Sequence, residues 1–350
     1  MKTALRFVEK GLVPEALLRK GIQHLLRKRL LEQYAIFGDE PQGAMADWID
    51  RMRGSPVALL PEKANEQHYE VPPAFFELVL GKRLKYSSGF YAREDSTLDE
   101  AEEAMLALTA ERAGLVNGQD VLELGCGWGS LTMWMAERFP LSTVVAVSNS
   151  APQRLYVMNE ARRRNLNNIT VITCDMNDFT IAKRFDRIVS VEMFEHMRNW
   201  EELLRRAASW LRPDGRLFMH VFAHRRYAYP FEVQDDSDWM SRHFFSGGMM
   251  PSHDLVERLQ TPFENDSSWV VPGTHYSRTA EGWLANLERK RPEVIALFRQ
   301  TYGSAHAELW YQRWRLFFLA CAELFAYGDG AEWIVSHRLL RHRTAQAVSA

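Results

Sequence analysis

Cysteine is scarce: the 350 residues hold three, Cys126, Cys174 and Cys321, each far from the others. No pair has metal-ligand spacing, so no metal site is expected. An odd count does not make a disulfide framework, which points to a reducing compartment, the cytosol. Long apolar runs are missing too, and nothing approaches the roughly 18 residues a membrane span needs. The stretch Met1–Lys10 has no apolar segment bounded by a cleavage site, so a signal peptide is not expected. Charge of one sign is not in excess. The formal net charge is −2 and the pI is about 6.6, which leaves no global field to hold nucleic acid. Repeats and low-complexity tracts are absent, which excludes solenoids and linker-like chains.

What is plentiful is apolar and aromatic. Hydrophobic residues make up 46% and aromatics 12%, with 11 Trp. That suffices for a large core, or a core plus a cap. The aromatics suit an ordinary core and equally a pocket for a flat, greasy substrate. Residues 1–35 carry eight Lys/Arg against three acidic residues, with Leu18, Ile22, Leu25 and Leu26 at helical spacing between them. Two readings stay open for this segment: a membrane-surface helix, or a helix packed on its own domain with a solvated basic face.

Residues 36–95 are loop-rich and hold most of the early prolines. Thr97 is an N-cap candidate, with Glu100, Glu102 and Glu103 in the first turns, for a helix running to Ala113 and stopping at Gly114. Alternation of strand and helix follows. Strands are expected at 120–124, 143–147, 169–173, 187–191 and 216–222, and helices at 130–138, 152–165 and 200–211, the last ended by Pro213-Asp214-Gly215. Strands alternating with helices at this spacing mean a parallel sheet with covered faces. Further on, 269–271 reads as a strand, 280–325 as a helical run and 333–340 as a final strand.

The strand ending at Leu124 feeds Gly125-Cys126-Gly127-Trp128-Gly129-Ser130, and a helix follows. Glycines there permit a tight turn and close approach of backbone to ligand. Ser130 stands where a dinucleotide-binding loop would place its third glycine. A second cluster, Glu192-Met193-Phe194-Glu195-His196-Met197, comes after the fourth strand. Open parallel sheets bind ligands beyond the carboxyl ends of their strands. Two carboxylates and an imidazole in a greasy neighbourhood suit general acid–base work, because burial raises a carboxylate's pKa.

The glycine loop, with its acidic Glu123, resembles class I S-adenosylmethionine-dependent methyltransferases. The resemblance implies that Gly125, Gly127 and Gly129 let the backbone wrap the methionine part of the cofactor, with Glu123 orienting the loop or its ammonium. Many such enzymes end the second strand in an acidic residue for the ribose. Here the strand ends Val147-Ser148-Asn149-Ser150, so Asn149 and Gln153 are the candidates. Asp175 and Met176, after the third strand, would flank the adenine. The run Glu192–Asn199, with Phe244–Ser252, Asn65–Tyr69, Asp238-Trp239-Met240 and Trp314-Arg315, is similar to the cyclopropane fatty acid synthase superfamily, and within it to the coclaurine N-methyltransferase branch. That likeness spans about residues 10–340. It puts Glu192, Glu195 and His196 at the substrate, Tyr86 and Ser87 over the cofactor, and 235–252 in the pocket wall. Cyclopropane synthases carry Tyr-Ser-Cys where this chain has Tyr86-Ser87-Ser88, and that Cys helps hold a bicarbonate. Near Cys321, where a synthase offers a Tyr to the same anion, this chain shows Trp314, Phe317 and Phe318, with Tyr311 and Tyr327 offset. Glu195, His196 and His220 are what remain of that anion site.

The expected architecture is therefore α/β, with a class I methyltransferase Rossmann-like, mostly parallel seven-stranded sheet, an N-terminal helical segment and a helical substrate cap. The division is 1–95 for the N-terminal helical or lid segment, 96–230 for the cofactor-binding core, and 231–350 for the cap with the last strands of the sheet. The implied cofactor is S-adenosyl-L-methionine. The implied reaction is N-methylation of a small aromatic or cyclic amine, with Glu195 or His196 as the base. The alternatives are modification of an unsaturated acyl chain, with the basic N-terminal helix on a membrane, and a non-catalytic cofactor-binding protein. A homodimer is left open.

Overall fold

The computed structural model describes residues 2–38, 41–59, 71–232 and 239–344. The Asn65–Tyr69 motif and residues 235–238 of the expected pocket wall lie outside the described residues. The first helices are α1 (Lys2–Glu9), α2 (Glu15–Phe37), α3 (Pro41–Arg53) and α4 (Pro73–Val79), followed by α5 (Leu98–Ala113). The α5 start is a capping box: Thr97 Oγ1 accepts from the Glu100 N–H while the Glu100 carboxylate accepts from the Thr97 N–H. Each satisfies an amide that the first helical turn leaves without a partner. Gly114, at φ +62°, ends the helix in the left-handed conformation glycine tolerates best.

The sheet begins with β1 (Asp120–Leu124), then α6 (Ser130–Arg138), β2 (Thr143–Ser148), α7 (Ala151–Arg163), β3 (Ile169–Thr173), β4 (Phe185–Val191), α8 (Trp200–Trp210) and β5 (Leu211–His224). A short ribbon of β6 (Tyr229–Pro230) and β7 (Met249–Met250) precedes β8 (Phe263–Val271). Three cap helices follow, α9 (Gly273–Arg289), α10 (Arg291–Tyr302) and α11 (Ala307–Ala326), and β9 (Trp333–His342) closes the fold. Strand order is β3-β2-β1-β4-β5-β9-β8. Neighbours from β3 to β5 are parallel, and β9 lies antiparallel between β5 and β8. This is the mostly parallel seven-stranded sheet expected.

Several boundaries differ from the sequence reading, each for a local reason. Pro213-Asp214-Gly215 does not separate helix from strand. The chain pairs Leu211 with Phe185, bulges, and resumes pairing at Arg216 with Arg187, an irregularity that accommodates a proline in a ladder. β8 reaches back to Phe263 through the polar run Glu264–Ser268, which pairs with β9 around a second bulge. The single helical run is three helices, broken where Pro292 begins a first turn and where Gly303 adopts φ +81°.

The basic N-terminal segment packs on its own protein. Leu18, Ile22, Leu26 and Leu30 of α2 lie against the aromatic cluster of the cap, whereas Leu25 is 41% exposed. Arg19 is the main anchor. Its guanidinium meets Glu281 at 2.6 Å, Glu323 at 2.9 Å and Glu15 of its own helix at 2.9 Å. Among the described residues no helix is long and apolar enough to cross a membrane.

Candidate active site

The β1–α6 turn is shaped for close approach. Gly125, Gly127 and Gly129 have φ of +81°, +51° and +81°. The N–H groups of Gly125 and Cys126 both donate to the Val147 carbonyl, each at 3.0 Å, tying the turn to the end of β2. The three glycines serve different needs. A Cβ at Gly125 would come within 2.5 Å of Met193, and one at Gly129 within 2.7 Å of Val157. At Gly127 nothing lies within 4 Å, so a Cβ there would stand in the open cleft.

That cleft is lined by Tyr86, Ser87, Glu123, Gly125, Gly127, Asn149, Gln153, Asp175, Met176, Glu192 and His196. Every expected cofactor residue except Gly129 reaches it, and Gly129 instead lets the turn pack on α7. Glu123 is buried and accepts from Thr132 Oγ1 at 2.5 Å; burial pushes its carboxyl up to about 7. It therefore braces the first turn of α6 as well as lining the cleft. Ser148 Oγ donates to Gln153 Oε1 at 2.7 Å. Asp175 accepts from the Asn177 N–H at 2.7 Å. The buried Gln153 Nε2, Ser130 Oγ and Thr109 Oγ1, all on cleft residues, find no partner among the described residues. Buried polar atoms left over around a cleft with an open glycine cradle fit a polar, nucleoside-bearing cofactor.

Beyond β4 the chain turns sharply. Glu192 sits at φ +48°, a region bulky residues rarely enter. Its carboxylate is the meeting point of three donors. The Ser88 N–H reaches Oε1 at 3.0 Å, His220 Nε2 lies 3.1 Å from the same oxygen, and the Tyr276 hydroxyl donates to Oε2 at 2.5 Å. Burial raises its pKa; Lys85, the Tyr276 and Ser88 hydrogen bonds and His196 act in the opposite direction. Lys85 is itself buried, donating to Ser87 Oγ at 2.5 Å and to the Ser88 carbonyl at 2.9 Å, and desolvation brings its pKa down to about 8. The 86–88 segment and His220, which the resemblance tied to an anion, here meet the chain's own Glu192 carboxylate. The tyrosine sought near Cys321 comes from α9, as Tyr276.

His196 lies in the short turn Phe194–His196 and stacks on Phe245, ring centroids 5.7 Å apart and planes 11° apart. Burial lowers its pKa to about 4, so it is a neutral imidazole at physiological pH. Glu195 is placed differently. Successive residues of this 3-10 turn project about 120° apart, and its fully buried carboxyl accepts from the Phe222 N–H at 2.6 Å. It lines neither cavity of the site, and burial, with Glu192 nearby, pushes its pKa well up. The structure sets Glu195 behind Glu192 and His196.

A second cavity, of about 890 Å³, opens beside the cofactor cleft, itself about 140 Å³. Its wall is mainly apolar and aromatic, including Phe222, Tyr229, Trp239, Phe245, Trp283 and Phe317. Tyr86, Glu192 and His196 line both spaces. The far wall comes from α1 and α2, through Val8, Leu18, Gly21, Ile22 and Leu25. Neither this wall nor Tyr276 and Lys85 emerged from the sequence. The one available hint was the apolar spacing in α2, which says that a face is buried and not what it covers.

Comparison with known proteins gives a consistent picture. The family model described as mycolic acid cyclopropane synthetase matches residues 60–332. (S)-coclaurine N-methyltransferase of Thalictrum flavum subsp. glaucum is 36% identical over 345 residues, covering 97% of this chain and 95% of that protein. Cyclopropane mycolic acid synthase 1 of Mycobacterium tuberculosis is 29% identical, covering 78% of this chain and 96% of that protein. A crystal structure of coclaurine N-methyltransferase bound to N-methylheliamine and SAH superposes with a TM-score of 0.93 at 36% identity, over 97% of this chain and 99% of that one.

Proposed function

We propose that this chain, which belongs to the mycolic acid cyclopropane synthetase family, methylates the nitrogen of a small aromatic or cyclic amine. It is an S-adenosylmethionine-dependent methyltransferase. The observation that carries the amine reading is the shared wall. Tyr86, Glu192 and His196 line the cofactor cleft and the aromatic cavity together, so donor and acceptor meet beside a carboxylate and a neutral imidazole.

When bound, the cofactor supplies a methyl group on a sulfonium. The chain has two tasks. The first is alignment: the glycine turn and the ends of β2 and β3 hold one side, and the aromatic wall holds a flat acceptor on the other. Positioning of this kind can account for much of the rate. The second is proton removal. An aliphatic ammonium has a pKa of about 10 and presents no lone pair at neutral pH. Glu192 and His196 are the proton acceptors on the wall shared with the cofactor cleft. The Glu192 carboxylate also attracts a cationic amine, and aromatic faces stabilise the same cation. The Ser88, Tyr276 and His220 donors fix the carboxylate's direction.

The relatives named for coclaurine, and the neighbour holding N-methylheliamine, support a benzylic cyclic amine as the first acceptor to try. Labelled S-adenosylmethionine is incubated with heliamine, coclaurine, and vesicles of unsaturated phospholipid. The expected result is a product heavier by one methylene from an amine and none from vesicles. Product on the acyl chains alone would overturn the amine reading. Co-sedimentation with the same vesicles asks separately whether the N-terminal helices touch a membrane.

A further inference from the structure

Arg112, in the last turn of α5, reaches over the sheet to His337 of β9, with Nη1 2.7 Å from Nδ1. The guanidinium also lies over the Trp269 ring of β8, 5.0 Å from its centroid. His337 Nε2 is 2.9 Å from His220 Nδ1, and His220 Nε2 is 3.1 Å from Glu192 Oε1. The two histidines are direct cross-strand partners on β5 and β9, and neither is exposed. Neither lines a cavity. Buried polar rings cost more than hydrophobic ones of similar size unless their hydrogen bonds are made, and here every ring nitrogen has a partner.

These contacts fix where the protons are. A guanidinium only donates, so His337 Nδ1 must accept, and the proton of that neutral ring sits on Nε2. That N–H donates to His220 Nδ1, which places the His220 proton on Nε2, where it donates to Glu192. We propose that Arg112 and His337 are positioning residues which, through His220, keep a donor on the Glu192 carboxylate and so hold it ionised and aimed at the acceptor. The proposal rests on the reading of Glu192 as a proton acceptor. The groups facing the relay are Lys85, Tyr276, Glu195, His196 and Cys321 at the Glu192 end, and Arg112 with the neighbouring Glu111 at the other. Burial and the two cations both disfavour an imidazolium in the middle, so the relay works with neutral rings. Without Arg112, the His337 proton is free to move to Nδ1. His337 Nε2 then accepts from His220 Nδ1–H, and the His220 Nε2 lone pair faces Glu192. The carboxylate has to take one proton from solvent to keep that contact, and a protonated Glu192 cannot serve as a base.

Long-range proton–nitrogen correlation spectra of isotope-labelled histidine read the tautomers directly, without substrate. In the wild-type protein, His220 and His337 are expected as Nε2–H tautomers. Arg112→Met should move both towards Nδ1–H and shift the acid limb of the amine rate–pH profile upward. The loss at neutral pH should be about 10-fold, as for removal of outer partners of functional ligands, and regained at alkaline pH. Arg112→Lys keeps a charged donor and should restore the profile. The melting shift given by S-adenosylhomocysteine should be unchanged in both variants, since Arg112 does not line the cofactor cleft. An Nδ1–H tautomer at His337 in the wild type would overturn the relay. So would an Arg112→Met protein with wild-type tautomers, or one with a wild-type profile. If that variant does not fold, the wild-type spectrum and the lysine variant decide. A wild type without amine turnover would sink the functional reading while the tautomers still judge the relay.

Discussion

Glu192 is held in left-handed backbone, which costs a non-glycine residue about 1–3 kcal/mol, and Leu84, beside the same cleft, shares the feature at φ +51°. The surrounding donors over-determine the geometry: the Glu192 N–H is tied to the His220 carbonyl at 2.8 Å while the side chain takes three further contacts. Glu192→Gln keeps the shape and loses the proton-accepting charge. Amine turnover should fall by roughly 10²–10⁴, with partial return at alkaline pH, where solvent has already deprotonated the amine. Rate against pH for wild type and variant checks this, and equal rates at neutral pH would remove Glu192 from the reaction. At Gly127, valine adds side-chain atoms in the open cleft at a φ of +51° that β-branched residues resist. Gly127→Val should abolish the melting shift produced by S-adenosylhomocysteine in a thermal-denaturation assay.

At the level of elements, α2 does two things with one amphipathic surface. Its Leu18–Ile22–Leu26 face closes the acceptor cavity, and Arg19 ties it to α9 and α11. Gly21 sits in mid-helix, lines the cavity and has nothing within 4 Å of a built Cβ. Gly21→Leu should therefore put a side chain into the cavity without a clash. Leucine also favours helix over glycine, by somewhat less than the roughly 0.8–1.0 kcal/mol that separates alanine from glycine, so melting should hold or rise. The apparent KM for an aromatic amine should rise several-fold while the S-adenosylhomocysteine shift stays as it was. A falling melting temperature with unchanged KM would show that the residue faces elsewhere. The parallel strands and the glycine turn were legible because each announces itself locally, as a short β-branched run or as glycines between strand and helix. The Thr97 cap is of the same kind. Tyr276, His337 and the cavity face of α2 were not legible. Their roles depend on contacts such as Arg19 to Glu323, 304 positions apart, and no periodicity encodes those. Glu195 shows the opposite limit: sequence proximity to His196 suggested a shared role, and a tight turn sends the two side chains in different directions.

For the molecule as a whole, cofactor and fold are linked by mass action. At a hundredfold excess over Kd, S-adenosylhomocysteine should stabilise the protein by about 2.7 kcal/mol. Differential scanning would show this as a rise of a few degrees; no rise at saturation would remove the cofactor assignment. The relay adds a constraint of another sort, in the order in which the chain emerges from the ribosome. His337 arrives 117 residues after His220. Until β9 slots between β5 and β8, β5 presents an open edge, a surface other chains can pair with. The glycine turn and the strands from β1 to β5 are complete by then, so a nascent chain has its cofactor cradle before His337 sets the tautomer of His220. Insertion of β9 at once covers the edge and fixes the His220 proton on Nε2, facing Glu192. A ribosome-stalled chain ending before Trp333 should bind S-adenosylhomocysteine, fail to turn over amine and aggregate through β5, which sedimentation of the released fragment would reveal.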